Sequence, residues 1–466
     1  MTARAFDAIV VGAGQAGPSL AVRLAQAGRR VAIVERHLVG GTCVNTGCTP
    51  TKAMVASAYA AHLARRAGDY GIGVDGAVRV DMAKVKARKD AIAGNSRRNH
   101  EVWLAGTEGV TLLRGHARFL GPHEIEVEGA LLSAPEIFLN VGGRAAVPDM
   151  PGVRDIAYLT NSSLLELDHV PEHLLVIGGS YIGLEFAQIF RRLGAEVTVV
   201  ERGSRIIGRE DEEVSAAVQA FLEAEGIRFR LDATCIGFEQ HDAAVAASVD
   251  CANGEPAERG SHVLLAVGRR PNTDDLGLDR AGVAVDRRGY VVVDDQLRTN
   301  VEGIWALGDC NGRGAFTHTA YNDFEIVAAN LLDGDSRRLG DRFPVYALYT
   351  DPPLGRVGMT ETEARATGLA YKVATRPMSR VGRAVEKGET HGLMKAVVDA
   401  ATDRILGAAV LGVGGDEAVH GLLYAMQGGM SADAIRRTTP IHPTVAELFP
   451  TLMGDLRLAD GAPGRG

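Results

Sequence analysis

Two cysteines close together near the N-terminus are the residues whose spacing most clearly points to chemistry. Cys43 and Cys48 lie in residues 40–52, which read GGTCVNTGCTPTK. On a regular helix, residues five positions apart are about 7.5 Å apart along the axis and point to different faces. A disulfide needs Cα atoms within roughly 7 Å of each other. Gly47 and Pro50 favour an irregular helix start, at which such a pair could close.

Three interpretations fit this pair. A redox-active disulfide is favoured, because a helix N-terminus and the nearby Lys52 would stabilise a thiolate. A zinc site needs further ligands close by, and the other cysteines are isolated in sequence at positions 235, 251 and 310. The third interpretation is a pair of bystander thiols. Cys310 is predicted to be a buried thiol without a redox role, although a third redox thiol is the alternative.

Two glycine-rich segments predict the elements that position the pair. The first has a strand at residues 6–11, the pattern GxGxxG at Gly12, Gly14 and Gly17, a helix at 19–27, and a strand at 30–34 followed by Glu35. The second has a strand at residues 174–177, the sequence GGSYIG from Gly178 to Gly183, a helix at 184–193, and a strand at 196–200 followed by Glu201. Each is the pattern of a βαβ unit.

The repeated spacing favours two dinucleotide-binding units over ordinary glycine turns. The first glycine and the acidic residue are 23 positions apart in both copies, from 12 to 35 and from 178 to 201. In such units the glycines admit a pyrophosphate to the helix N-terminus, and the acidic residue binds a ribose hydroxyl. Ser180 replaces the middle glycine of the second copy.

Composition excludes several classes of protein. Hydrophobic residues are 46% and charged residues 23% of 466 residues, as in a globular protein. The net charge of −8 argues against nucleic acid as the main partner. No apolar run approaches the roughly 18 residues of a membrane span, and residues 1–17 do not read as an export signal. We therefore expect a cytoplasmic protein that acts on neither nucleic acid nor membranes.

The chain resembles the class I FAD-dependent pyridine nucleotide–disulfide oxidoreductases, the family of dihydrolipoamide dehydrogenase, glutathione reductase and mercuric reductase. Four motifs carry the resemblance: the first glycine pattern with Glu35, residues 40–52, residues 303–309 (GIWALGD) and residues 439–447 (TPIHPTVAE). Residues 40–52 and 349–353 (YTDPP) look most like the mercuric reductase-like branch.

The resemblance implies an α/β fold with two Rossmann-like domains, for FAD and NAD(P), and a C-terminal α+β dimerisation domain. The expected boundaries are 1–150 for the first FAD segment with the redox-active disulfide, 151–275 for the NAD(P) domain, 276–339 for the central FAD segment, and 340–466 for the dimerisation domain.

The resemblance also implies cofactor contacts. Asp309 is expected to hold the flavin ribityl chain, Tyr181 to cover the nicotinamide pocket when it is empty, and Glu185 to pair with Lys52 beside the flavin. The expected FAD residues are Gly12, Gly14, Gly17, Glu35, Gly41, Thr42, Lys52, Ala117, Asp309 and Thr317, with Ala117 and Thr317 approaching through backbone atoms. The expected NAD(P) residues are Gly178, Ser180, Tyr181, Ile182, Gly183, Glu185, Glu201 and Gly268. No metal ligands are expected.

The catalytic residues implied by the resemblance are the cysteine pair and a histidine with its acid. Cys48 becomes the thiolate against the flavin and Cys43 the outer thiol that attacks the substrate. His442 exchanges protons near neutral pH and Glu447 orients it. In this family that histidine reaches the active site of the other subunit, so a homodimer is expected.

Substrate and nicotinamide are less constrained. A small disulfide is the favoured substrate. The alternatives are Hg(II) or Cu(II) reduction, and dihydrolipoamide oxidation for an α-keto acid dehydrogenase complex. Mercuric reductases carry a second cysteine pair at the C-terminus, and residues 456–460 (LRLAD) have none, which weakens the mercury alternative.

The Thr-Gly segment with which the family closes its first FAD stretch is replaced here by LNVGG at residues 139–143. Glu201 favours NADH, whereas Arg202 and Arg205 could bind the 2′-phosphate of NADPH.

Overall fold

The computed structural model describes residues 3–241, 244–249 and 257–459, so Cys251 and the C-terminal tail lie outside the described residues. The N-terminal part of the chain contains the first glycine pattern and the cysteine pair. Its strands are β1 (Arg4–Ala5), β2 (Ala8–Val11), β3 (Val31–Glu35), β4 (Val110–Arg114), β5 (Ala117–Gly121), β6 (Glu124–Val127), β7 (Ala130–Ser133), β8 (Glu136–Leu139) and β9 (Gly143–Ala145). Its helices are α1 (Gly17–Gln26), α2 (Gly41–Asn45), α3 (Cys48–Arg65) and α4 (Met82–Ala105).

The first βαβ unit is where the sequence predicts it. Strands β2 and β3 are buried along their whole length and pair in parallel, as expected for apolar runs covered on both faces. Helix α1 begins two residues earlier than predicted, at Gly17, because Pro18 is favourable in the first turn of a helix. Strands β1, β7, β6 and β5 form a separate small sheet in that order.

The middle of the chain repeats this arrangement. Its strands are β10 (Tyr158–Leu159), β11 (His173–Ile177), β12 (Glu196–Val200), β13 (Arg228–Arg230), β14 (Gly237–His241), β15 (Ala244–Ser248), β16 (Ala257–Gly260) and β17 (His262–Leu265), and its helices are α5 (Asn161–Leu164), α6 (Tyr181–Leu193) and α7 (Glu212–Ala224). A parallel sheet runs in the order β10, β17, β11, β12, β13. Strands β14, β15 and β16 form an antiparallel sheet beside it.

The chain then returns to the first sheet. The elements of this segment are β18 (Arg269–Pro271), α8 (Leu278–Ala281), β19 (Ile304–Ala306) and α9 (Thr317–Leu332). Strand β18 pairs with β9, and β19 pairs with β8, so that the first parallel sheet runs β19, β8, β2, β3, β4. Helix α9 packs against α1 through Leu20, Leu24, Ile326 and Val327.

The C-terminal part is an α+β unit with its own core, as predicted. Its strands are β20 (Val345–Leu348), β21 (Leu354–Gly358), β22 (Tyr371–Pro377), β23 (Leu393–Asp399), β24 (Ile405–Leu411) and β25 (Arg457–Leu458), and its helices are α10 (Glu361–Ala366), α11 (Gly382–Glu386), α12 (Gly415–Gln427), α13 (Ala432–Arg436) and α14 (Phe449–Gly454). The strands form an antiparallel sheet in the order β20, β21, β24, β23, β22, β25.

One polar face of α6 joins the middle of the chain to this C-terminal unit. The residues on this face are three or four positions apart, the spacing that puts side chains on the same side of a helix. The contacts in order are Tyr181 with Tyr346, Glu185 with the Tyr349 backbone N–H, and Gln188 and Arg192 with Asp351. Among the residues that the structure describes, no helix is both long and apolar enough to cross a membrane.

Candidate active site

The first glycine turn is shaped to admit a ligand to the N-terminus of α1. Gly12 has φ of 103°, and a Cβ there would lie 2.3 Å from the Asn140 carbonyl oxygen. A Cβ at Gly17 would lie 2.2 Å from the Gly12 carbonyl oxygen. Both positions therefore need glycine for the close packing of helix and turn. The turn therefore leaves the N-terminus of α1 accessible to an anionic group such as a phosphate.

The second glycine turn has the same construction. Gly178 has φ of 112°, and a Cβ there would lie 2.5 Å from the Ala266 carbonyl oxygen. A Cβ at Gly183 would lie 2.0 Å from the Gly178 carbonyl oxygen. Ser180, in the middle position, has an extended backbone and precedes the first residue of α6. The replacement of the middle glycine therefore leaves the turn intact.

Glu35 and Glu201 occupy equivalent positions at the ends of β3 and β12. The Glu35 carboxylate accepts hydrogen bonds from the backbone N–H groups of Ala13 and His37, both at 2.8 Å. The Glu201 carboxylate accepts from Gly179 and Gly203, both at 2.7 Å. Each carboxylate is thus held at the edge of its glycine turn, where a ribose would lie beside it.

A helix break brings the two cysteines together. Cys43 lies in α2, and Cys48 is the first residue of α3. A Cβ on Gly47 would lie 2.9 Å from the Thr42 carbonyl oxygen, so glycine allows the two helices to meet closely. Pro50 lies in the first turn of α3, where its missing N–H has no consequence. Cys43 and Cys48 are both thiols in this structure and hydrogen-bond each other.

The two thiols have opposite acidities. The hydrogen bond from Cys43 lowers the pKa of Cys48 to about 6, and the Thr317 hydroxyl and Lys52 ammonium lower it further against the opposing effect of burial. The same hydrogen bond raises the pKa of Cys43 far above its usual range, and burial adds to this rise. At neutral pH, Cys48 is therefore the thiolate and Cys43 keeps its proton.

Thr317 contacts Cys48 through its side chain. Its hydroxyl oxygen lies 3.3 Å from Cys48 Sγ, and Thr317 is the first residue of α9. The family resemblance implies only a backbone contact to a cofactor at this position. The additional contact arises because α9 approaches the start of α3, and these elements are far apart in sequence.

Lys52 and Glu185 form an ion pair beside the cysteines. Lys52 Nζ lies 2.5 Å from Glu185 Oε2, and the Tyr349 ring centroid lies 4.4 Å from the same nitrogen. Tyr349 also donates its backbone N–H to Glu185 Oε1 at 3.0 Å. The ion pair therefore links α3 of the first part, α6 of the middle part and the C-terminal unit at one point.

Asp309 lies just after β19, in a short 3-10 helix. Burial raises the pKa of its carboxyl, and the Arg269 guanidinium, 3.5 Å away, opposes this rise.

Asn140 is a residue that sequence reasoning missed: its side-chain amide donates to the Gly12 carbonyl oxygen at 3.3 Å. The sequence gives no signal for Asn140 beyond its place in the LNVGG departure.

One cavity of about 2160 Å³ connects these features. It is lined by most of the predicted cofactor residues, namely Gly12, Gly14, Glu35, Gly41, Thr42, Lys52, Ala117, Asp309, Thr317, Gly178, Ser180, Tyr181, Ile182, Glu185, Glu201 and Gly268, and by both cysteines. Gly17 and Gly183 are not in its lining, because each packs behind its turn against a carbonyl oxygen. The cavity thus joins both glycine turns to the cysteine pair.

His442 and Glu447 lie apart from this cavity. His442 Nδ1 is 2.9 Å from Glu447 Oε2, and the His442 side chain is 80% exposed while that of Glu447 is 14% exposed. Neither residue lines the cavity of the same chain. A single chain therefore brings the histidine and its carboxylate together but does not bring them to its own cysteines.

Within the described residues, no group of three or more His, Cys, Asp or Glu side chains could hold a metal ion.

Comparisons with known proteins agree with this geometry. Residues 6–323 match the family model "Pyridine nucleotide-disulphide oxidoreductase", and residues 345–453 match the dimerisation domain of the same family. The chain is 35% identical over 451 residues to the probable pyridine nucleotide-disulfide oxidoreductase RclA of Escherichia coli, covering 95% of this chain and 97% of that protein.

Relatives with other names are about as similar. A mercuric reductase of Streptomyces lividans is 35% identical over 448 residues, covering 95% of this chain and 94% of that protein. A dihydrolipoyl dehydrogenase of Thermus scotoductus is 36% identical over 447 residues, covering 95% and 96%. These identities do not separate the three activities.

A solved structure matches the whole fold. It is a Cu(II) complex of the HOCl-induced flavoprotein disulfide reductase RclA from Escherichia coli, with a TM-score of 0.88, 33% identity, and coverage of 97% of this chain and 99% of that chain. Family enzymes use FAD and a pyridine nucleotide. From its two matched domains and its relatives, the chain belongs to the class I pyridine nucleotide–disulfide oxidoreductase family.

Proposed function

We propose that this chain is a homodimeric FAD-dependent oxidoreductase that passes electrons from NADH through Cys43 and Cys48 to a small disulfide. One observation carries the proposal: the cysteine pair opens into the same cavity as both glycine turns. Electron donor and acceptor sites therefore meet within one connected space. We further propose a cytoplasmic location, since disulfides in that compartment are usually transient and catalytic, as the proposed Cys43–Cys48 disulfide would be.

The residues present fit FAD. A Cβ at Gly12 or Gly17 would collide with backbone at the first turn, and the Glu35 carboxylate is held at the end of β3, where a ribose would lie beside it. When bound, FAD supplies a two-electron carrier between the nicotinamide and the cysteine pair. The residues that would hold it are Gly12, Gly14, Glu35, Gly41, Thr42, Lys52, Ala117, Asp309 and Thr317, with Gly17 packed behind the turn.

The different acidities of the two thiols support different roles for Cys43 and Cys48 in disulfide exchange. Cys43, once deprotonated, attacks one sulfur of the substrate disulfide, so that a mixed disulfide forms and the first thiolate product leaves. The Cys48 thiolate then attacks the Cys43 sulfur, which releases the second product thiolate and re-forms the Cys43–Cys48 disulfide. Because the pKa of Cys43 is raised, this thiol needs a base.

We propose that His442 of the partner subunit is that base. The His442–Glu447 pair is preformed, exposed and outside the cavity of its own chain, which suits a role in a second active site. Imidazole takes the proton of Cys43 and returns it to the first leaving thiolate, and a proton from solvent serves the second. Glu447 orients the ring through Nδ1. The match to the family's dimerisation domain supports a homodimer.

The second glycine turn supports NADH as the electron donor. The Glu201 carboxylate is fixed by two backbone N–H groups at the end of β12, where the ribose of a bound dinucleotide would lie beside it. It would bond the free 2′-hydroxyl and repel a 2′-phosphate. Arg202 lines the cavity and is exposed, whereas the Arg205 side chain donates to the Gly208 carbonyl oxygen at 3.1 Å. NADPH is therefore the weaker alternative.

Metal-ion reduction is a second candidate, and a specific observation favours it. Paired thiols with one thiolate are soft ligands suited to copper and mercury, and a matched structure is a Cu(II) complex. Hg(II) is the corresponding ion of the relatives named mercuric reductase. Dihydrolipoamide oxidation, the activity named for another relative, would run the same cysteine chemistry in reverse.

A substrate panel under anaerobic conditions tests the proposal. The FAD-loaded enzyme is given NADH or NADPH with glutathione disulfide, lipoamide, other small disulfides, Hg(II) or Cu(II). We expect NADH consumption with two thiols formed per NADH for one disulfide, lost in Cys43→Ser and kept in the control Cys310→Ala, whose side chain is buried and does not line the cavity. Turnover with the metal ions alone would replace the disulfide proposal by the metal one.

A further inference from the structure

The hydroxyl of Tyr181 donates to Glu210 Oε1 at 3.5 Å. Tyr346 in turn donates its hydroxyl to the same Glu210 oxygen. The rings of the two tyrosines are 5.3 Å apart between centroids and are tilted by 50°. Tyr181, Tyr346 and Glu210 therefore form one hydrogen-bonded group.

The Glu210 carboxylate, which accepts the Tyr181 hydroxyl, is held in place by burial and by Arg356. Its side chain is fully buried, and its other oxygen accepts hydrogen bonds from Arg356 Nε at 3.0 Å and from Nη2. Arg356 is itself fully buried in β21. Separating a buried pair leaves an uncompensated charge, which is strongly unfavourable. The acceptor for both tyrosine hydroxyls is thus fixed by the C-terminal unit.

Tyr346 is fixed from its other side. Its ring stacks on Phe316, with centroids 5.8 Å apart and planes within 11°. Phe316 directly precedes Thr317, the residue that contacts Cys48, and stacks in turn on His318 at 5.3 Å. Tyr181, Tyr346 and Phe316 all line the cavity, between the second glycine turn and the cysteine pair.

We propose that Tyr346 and Glu210 form a latch that holds Tyr181 over the nicotinamide pocket, and that Tyr346 is a positioning residue that sets the affinity for the dinucleotide. The latch rests on the proposed function and on the expectation, implied by the family resemblance, that Tyr181 covers the empty nicotinamide pocket. For a nicotinamide to enter, the hydrogen bond of Tyr181 to Glu210 must break. Because the closed arrangement competes with the nucleotide, this bond and the packing against Tyr346 weaken the apparent affinity for the nucleotide.

Tyr346→Phe tests the latch, because it keeps the ring and removes only the hydroxyl that anchors this ring on Glu210. In the FAD-loaded enzyme, we expect the Kd for NAD⁺, or for NADP⁺ if that nucleotide is the one bound, to fall roughly threefold to tenfold in calorimetric titration, as for loss of one ordinary hydrogen bond. The second-order rate constant for flavin reduction by the matching reduced nucleotide rises by the same factor. Reduction of the Cys43–Cys48 disulfide by dithiothreitol keeps its rate.

A double-mutant cycle distinguishes a latch from a general structural effect. If Tyr346 acts through Tyr181, then Tyr346→Phe added to Tyr181→Phe gives no further gain in affinity. Tyr371→Phe is the matched control, since its hydroxyl also bonds a carboxylate, that of Glu361 at 3.1 Å, but it does not line the cavity.

Two outcomes separate the latch from the function on which it rests. Wild-type affinity in Tyr346→Phe, or an equal gain in the Tyr181→Phe background, overturns the latch and leaves the oxidoreductase proposal standing. A wild-type enzyme that binds neither nucleotide and is reduced by neither overturns both.

Discussion

Cys48 Sγ lies 3.3 Å from the hydroxyl oxygen of Thr317, and these residues are the first of α3 and α9. Two helix N-termini, from segments 269 positions apart, thus meet at one sulfur. The partial positive charge at each N-terminus favours a thiolate there. The contact adds to the hydrogen bond from Cys43 in lowering the pKa of the Cys48 thiol.

Thr317→Val is expected to make Cys48 less acidic. The change removes the hydroxyl that stabilises the thiolate and keeps the volume of the side chain. With Cys43 and Cys48 reduced, thiolate absorbance at 240 nm should rise through a midpoint near pH 6 in the wild type. Because a thiol ionises above its pKa, the thiolate is present above this midpoint and lost below it. In Thr317→Val we expect the midpoint to move up by about one pH unit.

The matched control for this titration is Thr107→Val. The Thr107 hydroxyl bonds the Trp103 carbonyl oxygen at the end of α4, away from the cavity. Its titration should match the wild type. An unchanged midpoint in Thr317→Val would show that the hydroxyl does not stabilise the thiolate.

His442→Ala is expected to slow the disulfide half-reaction alone. Loss of a general acid–base group lowers the rate of its step by about 10²- to 10⁴-fold. Flavin reduction by NADH does not involve this imidazole and should keep its rate, as measured by stopped-flow absorbance. His169→Ala, which removes an exposed histidine paired with Asp168, is the control. Equal losses in both half-reactions would contradict the role proposed for His442.

A mixed dimer tests whether the active site is shared. When a Cys43→Ser subunit pairs with a His442→Ala subunit, one site receives both changes and the other receives neither. We expect the purified mixed dimer to keep about half of the wild-type turnover, since homodimers of this family have two equivalent sites. If each chain used its own histidine, both sites would carry one change and turnover would be lost.

Glu201→Ala is expected to weaken discrimination between the two nucleotides. It removes the carboxylate that bonds the ribose and repels a 2′-phosphate, so kcat/KM for NADH should fall about tenfold, as for a lost hydrogen bond to a charged group, while kcat/KM for NADPH rises. Steady-state kinetics with both nucleotides measures the ratio. Glu223→Ala, whose carboxylate accepts a hydrogen bond from Gln219 on α7, serves as the control. A fall in kcat/KM for both nucleotides would mean that Glu201 is only structural.

Features that depend on local sequence were predictable. The glycine turns and the strand and helix that follow each one depend on neighbours within 23 positions, and both βαβ units are observed within a few residues of their predicted bounds. The helix break between Cys43 and Cys48 was likewise predictable, since Gly47 and Pro50 lie beside it. The α+β character of the C-terminal unit followed from its mixed strand and helix patterns.

Features that depend on tertiary packing were not predictable from one sequence. Asn140 reaches the Gly12 carbonyl oxygen because β8 and β2 are neighbours in the sheet. Tyr346 meets Tyr181 because α6 lies along the segment that follows residue 345. Both contacts join residues more than 100 positions apart, and nothing in the local pattern at either end marks them.

The role of the cysteine pair can be tested by alkylation of the protein before and after anaerobic addition of one equivalent of NADH or NADPH to the FAD-loaded enzyme. Peptide mass mapping locates the label on each cysteine. We expect Cys43 and Cys48 to be protected in the oxidised enzyme and both labelled after reduction, with the label on Cys310 unchanged. Labelling of both cysteines before reduction, or protection of both after it, would contradict a redox disulfide at this site.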